Sequence, residues 1–227
     1  MKPAFIDLSH HNSISSDLID AQESGIMGVI HKCTEGTTYK DEKVEARYYL
    51  TNEAGLLWGV YHFVRPGSMR DQVDFFLRSS EDVWDGNTLF ALDWEDTRVS
   101  LDDAIEFMAI LAEEIERSPV LYSGHVLKEA LGGKPDLTLS RYRLWLAQYA
   151  SEPELPPGWD KYWGWQYTDK GTVPGIAYPV DLNAFDGTEE ELVYSWPGNG
   201  KAPEPVPEPG TVRLIVPKGT NVIIEEV

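Results

Sequence analysis

Cysteine occurs once, at position 33, so the chain can form no internal disulfide and no cysteine-built zinc cluster. Cys33 follows an apolar run and carries no cue of a nucleophile, which leaves a small buried side chain as its simplest role. Positive charge is scarce: 19 Lys and Arg stand against 38 Asp and Glu, a formal net charge of −19. Nucleic-acid recognition needs a basic footprint, so nucleic acid is excluded as a partner. The same balance gives no attraction to an anionic surface. No apolar run approaches the roughly 20 residues that span a bilayer, so membrane insertion is excluded too. The first residues, Met1-Lys-Pro-Ala-Phe-Ile-Asp7, enter strand-like sequence at once and lack the apolar core of a secretory signal, so synthesis in the cytoplasm is expected. HExxH and GxSxG are absent, and the five histidines show no compact ligand spacing. Asp7-Leu-Ser-His-His11 with His31 or His62 is the one alternative set of metal ligands; the reading adopted is no metal and no cofactor.

What is present is a rhythm. Short apolar or β-rich runs recur at 4–7, 27–33, 57–64, 88–94, 120–123, 144–149, 163–167 and 180–185. Helical stretches are expected between several of them, at 16–24, 44–54, 71–79 and 101–117. The last is clearest: Ser100 can cap it, acids fill its first turn, and Ile105, Met108, Leu111 and Ile115 recur at helical spacing. Strands alternating with helices predict a parallel sheet, and eight of them predict closure. Connections after about residue 145 are too short and too rich in Pro and Gly for full helices. The fold expected is therefore an α/β, irregular, flattened TIM-like barrel over 1–196, (β/α)5(β)3-like, with a helix-poor last third.

Composition then changes. Residues 197–210 read as a Pro-rich linker, extended and semi-rigid. Residues 211–227 read as a β-hairpin tail around Pro-Lys-Gly-Thr. A lone hairpin of that size is marginal in water, so packing on the barrel, self-association or a further ligand is expected of it.

Polar residues gather at one end of the strands, where barrel active sites form. Strand one ends in Asp7, strand two in His31, Lys32 and Glu35, strand three in Tyr61 and His62. Strand four ends in Asp93 and Glu95, strand five in Tyr122, strand six in Gln148 and Tyr149. Gln166, Tyr167 and Asp169 end the seventh, Asp181 and Asn183 the eighth. Carboxyls, amides and rings together suit a sugar, with rings on pyranose faces and polar groups on hydroxyls. In Asp93-Trp94-Glu95 the two acids, at i and i+2 of a strand, point to one side with Cα atoms about 6.5–7 Å apart. Crowding and burial raise their pKa values, so one can hold a proton near neutral pH and give it to a leaving oxygen. That spacing leaves retention and inversion open. An acidic strand end that only binds solvent or a cation has the same tripeptide. Trp159, Trp163 and Trp165 suit a sugar groove or core packing equally.

Ile6-Asp-Leu-Ser9, Ile30-His-Lys-Cys-Thr-Glu-Gly36, Gly59-Val-Tyr-His-Phe63, Leu92-Asp-Trp-Glu95, Leu144-Trp-Leu-Ala-Gln-Tyr149, Trp165-Gln-Tyr167 and Val180-Asp-Leu-Asn183 together resemble the glycoside hydrolase family 25 lysozymes. The likeness runs in order through residues 4–186. It implies an N-acetylmuramidase that cleaves the β-1,4 bond between N-acetylmuramic acid and N-acetylglucosamine of bacterial peptidoglycan. It further implies Glu95 as acid/base, Asp93 as the residue handling the substrate 2-acetamido group with net retention, and Asp7 and Asp181 as the other active-site acids. Tyr61 and Tyr122 match sugar-contacting rings, and Lys32, Glu35, Trp145, Gln148 and Gln166 complete the expected substrate contacts. With the bare N-terminus, the likeness suggests a phage endolysin, released to the wall through a membrane lesion. Two other readings are a silent glycan-binding barrel and a different carbohydrate enzyme, a chitin hydrolase or metal-dependent deacetylase. Cys33 stands where the family pattern suggests a smaller residue, and the tail has no counterpart in it.

Overall fold

The computed structural model describes residues 2–15, 17–177 and 179–198. The linker from residue 199 and the hairpin expected over 211–227 lie outside the described residues. Nine strands form one sheet: β1 (Phe5–Leu8), β2 (Gly28–Glu35), β3 (Tyr39–Lys40), β4 (Leu57–Phe63), β5 (Leu89–Asp93), β6 (Val120–Ser123), β7 (Arg143–Ala147), β8 (Gly164–Gly171) and β9 (Val180–Phe185). Pairing of β1 with both β2 and β9 closes eight of them into a barrel, and two-residue β3 hangs on the outer edge of β2. All eight expected strands are present. Around the barrel from β1 to β8 the neighbours pair in parallel, whereas β9 runs antiparallel to β8 and β1, and the appended β3 antiparallel to β2. The connection from β8 to β9 is too short for a helical crossover, so the chain can only double back.

Six helices accompany the barrel: α1 (Ile19–Glu23), α2 (Val44–Glu53), α3 (Met69–Ser80), α4 (Leu101–Glu114), α5 (His125–Leu131) and α6 (Glu189–Ser195). Among the described residues no α-helix joins β7 to β8 or β8 to β9. Helix α4 starts where expected, through a reciprocal cap between Ser100 and Asp103. It stops at Glu114 rather than Arg117, because Glu116 turns left-handed at φ 52° and sends the Arg117 guanidinium onto the carbonyl oxygens of Gly86 and Thr88. Its buried face runs through Ala104, Phe107, Met108, Leu111 and Ala112, with Ile105 only partly covered.

Strand parity divides the core. On β1, Ile6 and Leu8 face the helices, while Phe5 packs inside the barrel. On β5, Phe90 and Leu92 face out and Leu89 and Ala91 face in. Val120 and Tyr122 of β6 and Trp145 of β7 also point inward. The lower interior is plugged by Phe5 against Trp145, Trp163 and Trp196, with ring centroids 5.4–5.6 Å apart. Each ring so buried contributes about 2–3 kcal/mol. Trp196 enters from the end of α6 and donates its Nε1–H to the Trp58 carbonyl at 2.7 Å. It fits because residue 28 is glycine; a Cβ there would lie 2.6 Å from its ring. With the lower half full, the next inward layer up is where polar residues can meet a ligand.

Candidate active site

That upper layer encloses a cavity of about 200 Å³. Four carboxyl groups line it: Asp7 of β1, Asp93 at the end of β5, Glu95 just beyond it, and Asp181 of β9. Tyr61, Tyr122, Trp145, Tyr149 and Gln166 complete the wall. Asp181 needs a correction of reasoning. The sequence suggests a strand end, whereas Asp181 sits at the start of β9, and the antiparallel course puts that start beside Asp7, its register partner.

The wall made by β1, β7, β8 and β9 is laced with directed hydrogen bonds. Trp145 Nε1–H donates to Asn183 Oδ1 at 2.6 Å, which turns the Asn183 amide so that Nδ2 donates to Asp7 Oδ1 at 2.8 Å. The hydroxyls of Tyr122 and Tyr149 both donate to Gln166 Oε1 at 3.0 Å. That fixes Gln166 Nε2 toward both oxygens of Asp7, each at 3.1 Å. Burial raises the Asp7 pKa to about 6, against the lowering effect of these two amides.

The opposite wall is different. Asp93 is only 5% exposed, and its Oδ1 has no hydrogen-bond partner. Burial, then the nearby Glu95 carboxylate, hold the Asp93 pKa well above the usual range. Glu95 lines the cavity from its rim while remaining open to solvent. Burial of its carboxyl raises its pKa as well, and the nearby His125 and Lys32 oppose the rise. Trp94, between the two acids, is locked outward: its Nε1–H donates to Val99 O at 3.1 Å and its carbonyl accepts from Ser123 Oγ at 2.6 Å. This clamp keeps both acids facing inward. Burial, then Asp7, lifts Asp181 to about 8. Burial also lifts the phenols of Tyr61 and Tyr122, so both stay neutral donors. A pocket holding four carboxyl groups of which several stay protonated near neutral pH can deliver a proton and accept one back.

Three residues expected to touch substrate stand outside the cavity wall. Lys32 pairs with Glu35 at 2.5 Å and lies over the Phe63 ring at 5.0 Å. Glu35 in turn holds Arg65, which reaches Asp96, which binds Arg98. This belt crosses the loops beside the acid pair and places the charge of Lys32 near it. Gln148 is turned away: its Oε1 accepts from the Glu154 amide at 2.7 Å. The three tryptophans open to two roles are core residues, each buried and donating Nε1–H: Trp159 to Tyr142 O, Trp163 to Ser195 Oγ and Trp165 to Gln148 O. Sequence reasoning put Tyr149 and Asn183 at the active-site end of the strands without giving either a role, and it did not single out Arg65 or Asp96. For Asn183 a signal existed, since it shares the face of Asp181 by strand parity.

The family model described as glycosyl hydrolases family 25 matches residues 6–176. Lysozyme M1 of Streptomyces globisporus is 28% identical over 208 residues, covering 83% of this chain and 69% of that protein. Among solved structures, the bacterial lysozyme of Streptomyces coelicolor superposes with a TM-score of 0.73 at 27% identity, covering 86% of this chain and 97% of that one. The CTP1L endolysin does so with a TM-score of 0.70 at 27% identity, covering 86% of this chain and 69% of that one.

Proposed function

The chain belongs to the glycosyl hydrolases of family 25 and is a peptidoglycan-cleaving muramidase; from that premise we propose how its four carboxyl groups divide the work. The bond cut is the β-1,4 link between C1 of N-acetylmuramic acid and O4 of N-acetylglucosamine. Glu95, raised in pKa and open at the rim, donates its proton to O4 as the C1–O4 bond breaks. Asp93 accepts the N–H of the muramic 2-acetamido group on Oδ1 and so directs the acetamido oxygen at C1. The oxygen closes on C1 to an oxazolinium ion. Glu95, now a carboxylate, takes a proton from water, whose oxygen opens that ring with net retention. The observation that carries this reading is the buried Asp93 oxygen left without a partner, since such an atom costs about 1–3 kcal/mol unless a ligand satisfies it. Asp7, already oriented by Gln166 and Asn183, and Asp181, protonated up to about pH 8, bind sugar hydroxyls on the opposite side.

The test is digestion of purified peptidoglycan, with the new ends reduced and identified by mass spectrometry and the anomer followed by NMR at early times. Muramic-acid ends in the β form support the scheme; glucosamine ends or the α anomer overturn it. Likeness to the CTP1L endolysin supports a role in lysis of a producing cell from within. Appearance of the protein outside intact producing cells would count against that role.

A further inference from the structure

A cavity larger than the acidic one lies elsewhere among the described residues. It measures about 810 Å³ and lies at the other end of the barrel, against the start of β7, the residues before β8, the end of β9 and helix α6. Its walls are aromatic: Tyr142, Trp159, Tyr162, Trp163, Phe185 and Tyr194. Tyr194 is 79% exposed and its neighbour Val193 50%, so the apolar surface continues outward along α6. The rim carries Asp160, Asp186, Glu190 and Glu191 against Arg141 and Lys161. The remaining cation, Arg143, is turned inward onto the Ser118 and Ser195 carbonyls and over the Trp163 ring at 5.2 Å. A large aromatic surface with an acidic rim is suited to an apolar segment of positive charge.

We propose that this groove is the docking site of the chain's own residues 211–220, Thr-Val-Arg-Leu-Ile-Val-Pro-Lys-Gly-Thr. The segment carries Arg213 and Lys218 and no acid, and it offers Val212, Leu214, Ile215 and Val216 to the rings. The chain leaves the barrel beside the groove, where Gly198 O accepts from Ser118 N at 3.2 Å and Arg143 ties down Ser195 and Trp196. Residues 199–210 then supply a Pro-rich tether that reaches about 37 Å at about 3.1 Å per residue. That exceeds any distance across a groove of this volume. A tether of that kind holds its cargo at an effective concentration of order millimolar, so weak contacts suffice for occupancy.

Cross-linking in the full chain tests this, because Cys33 is buried and its thiol is pushed up to about 12, which keeps it silent. The pair Tyr194→Cys with Leu214→Cys is oxidised at low protein concentration and compared with Tyr49→Cys with Leu214→Cys; Tyr49 is a 61% exposed site on α2. The expected result is an intrachain disulfide forming at least about tenfold faster at 194 than at 49, slowed when Asp160→Lys and Glu190→Lys are added. Equal rates at 194 and 49, or insensitivity to the rim charges, would overturn the proposal. Disulfide-linked dimers whose yield rises with concentration would also overturn it, assigning the groove to a second copy. Digestion of peptidoglycan by Tyr194→Ala is expected to be unchanged, which separates this groove from the acidic cavity.

Discussion

The inner and outer faces of the barrel both bury titratable groups, and they do so in opposite ways. On β2 and β4 the outward residues His31 and His62 are fully buried against the helices. His62 is satisfied on both nitrogens: Nδ1 accepts from Thr34 Oγ1 at 2.7 Å, Nε2–H donates to Gln72 Oε1 at 3.2 Å, and its ring stacks on Phe107 at 5.0 Å. Burial pushes both histidines down to about 4, so they stay neutral. On the inner face, on β1, β5 and β9, the carboxyl groups are pushed up, and Asp93 keeps an oxygen unpaired. His31 Nε2 on the packed wall also lacks a partner, so an unpaired atom alone does not mark a site. What sets Asp93 apart is that its residue lines an open cavity a substrate can enter. The amide-bound Asp7 and the unpaired Asp93 repeat the contrast inside the cavity.

The contrast breaks most sharply at Glu95. Glu95→Gln keeps shape and removes the proton, so peptidoglycan digestion should fall at least about 10²-fold in kcat with little change in melting temperature. Retained activity would remove Glu95 from the chemistry. Asp93→Asn should cost about ten- to a hundredfold in kcat, because the amide presents the wrong polarity to the acetamido N–H. It should also raise stability at pH 8, since it deletes a buried carboxyl that disfavours ionisation there. A variant both inactive and less stable would mean that Asp93 holds the fold rather than the substrate. Asn183→Leu acts on the other wall. It strips Asp7 of one donor and orphans Trp145 Nε1, with an expected cost of about 1–3 kcal/mol in stability. The Asp7 pKa, already about 6, should rise further, moving the acid limb of the pH–rate profile upward. An unmoved profile would show that Asp7 ionisation does not limit turnover.

Much of this contrast was legible in the sequence because strand parity is. Leu89-Phe-Ala-Leu-Asp93 alternates between the two packed faces, so knowing that Ala91 faces inward places Asp93 inward as well. Direction was not legible: a period of two reads the same both ways, so Asp181 was assigned to a strand end although it begins β9. Only the short 172–179 connection hinted at the reversal. These partners were beyond reach, as the belt from Lys32 through Glu35 and Arg65 to Asp96 joins the end of β2 to the loops after β4 and β5 by side-chain rotamers that spacing does not encode. Helix α5 begins at His125 after Gly124, which offers no side-chain cap, so it carries no start signal. Helix α6 does carry one, the reciprocal cap of Thr188 with Glu191.

The outer face makes the smallest prediction. With His62 near 4 in the fold and near 6.5 when unfolded, the unfolded chain binds the extra proton between those values. The histidine's contribution is therefore present above about 6.5 and lost as pH falls toward about 4. Between pH 7 and pH 5.5 that loss amounts to about 1 kcal/mol. The inner acids run the other way: raised to about 6 and about 8, Asp7 and Asp181 favour the fold at low pH and lose that contribution as pH rises through those values. The wild-type curve mixes both, so the histidine must be isolated by difference. His62→Phe keeps the stack on Phe107 and cannot titrate. It should be less stable than wild type at pH 7, having left Thr34 and Gln72 without their partner, yet the gap should narrow by about 1 kcal/mol at pH 5.5 in denaturant melts. A constant gap would mean that His62 accepts its proton inside the fold, and the opposition between the two faces would reduce to the carboxyl groups alone.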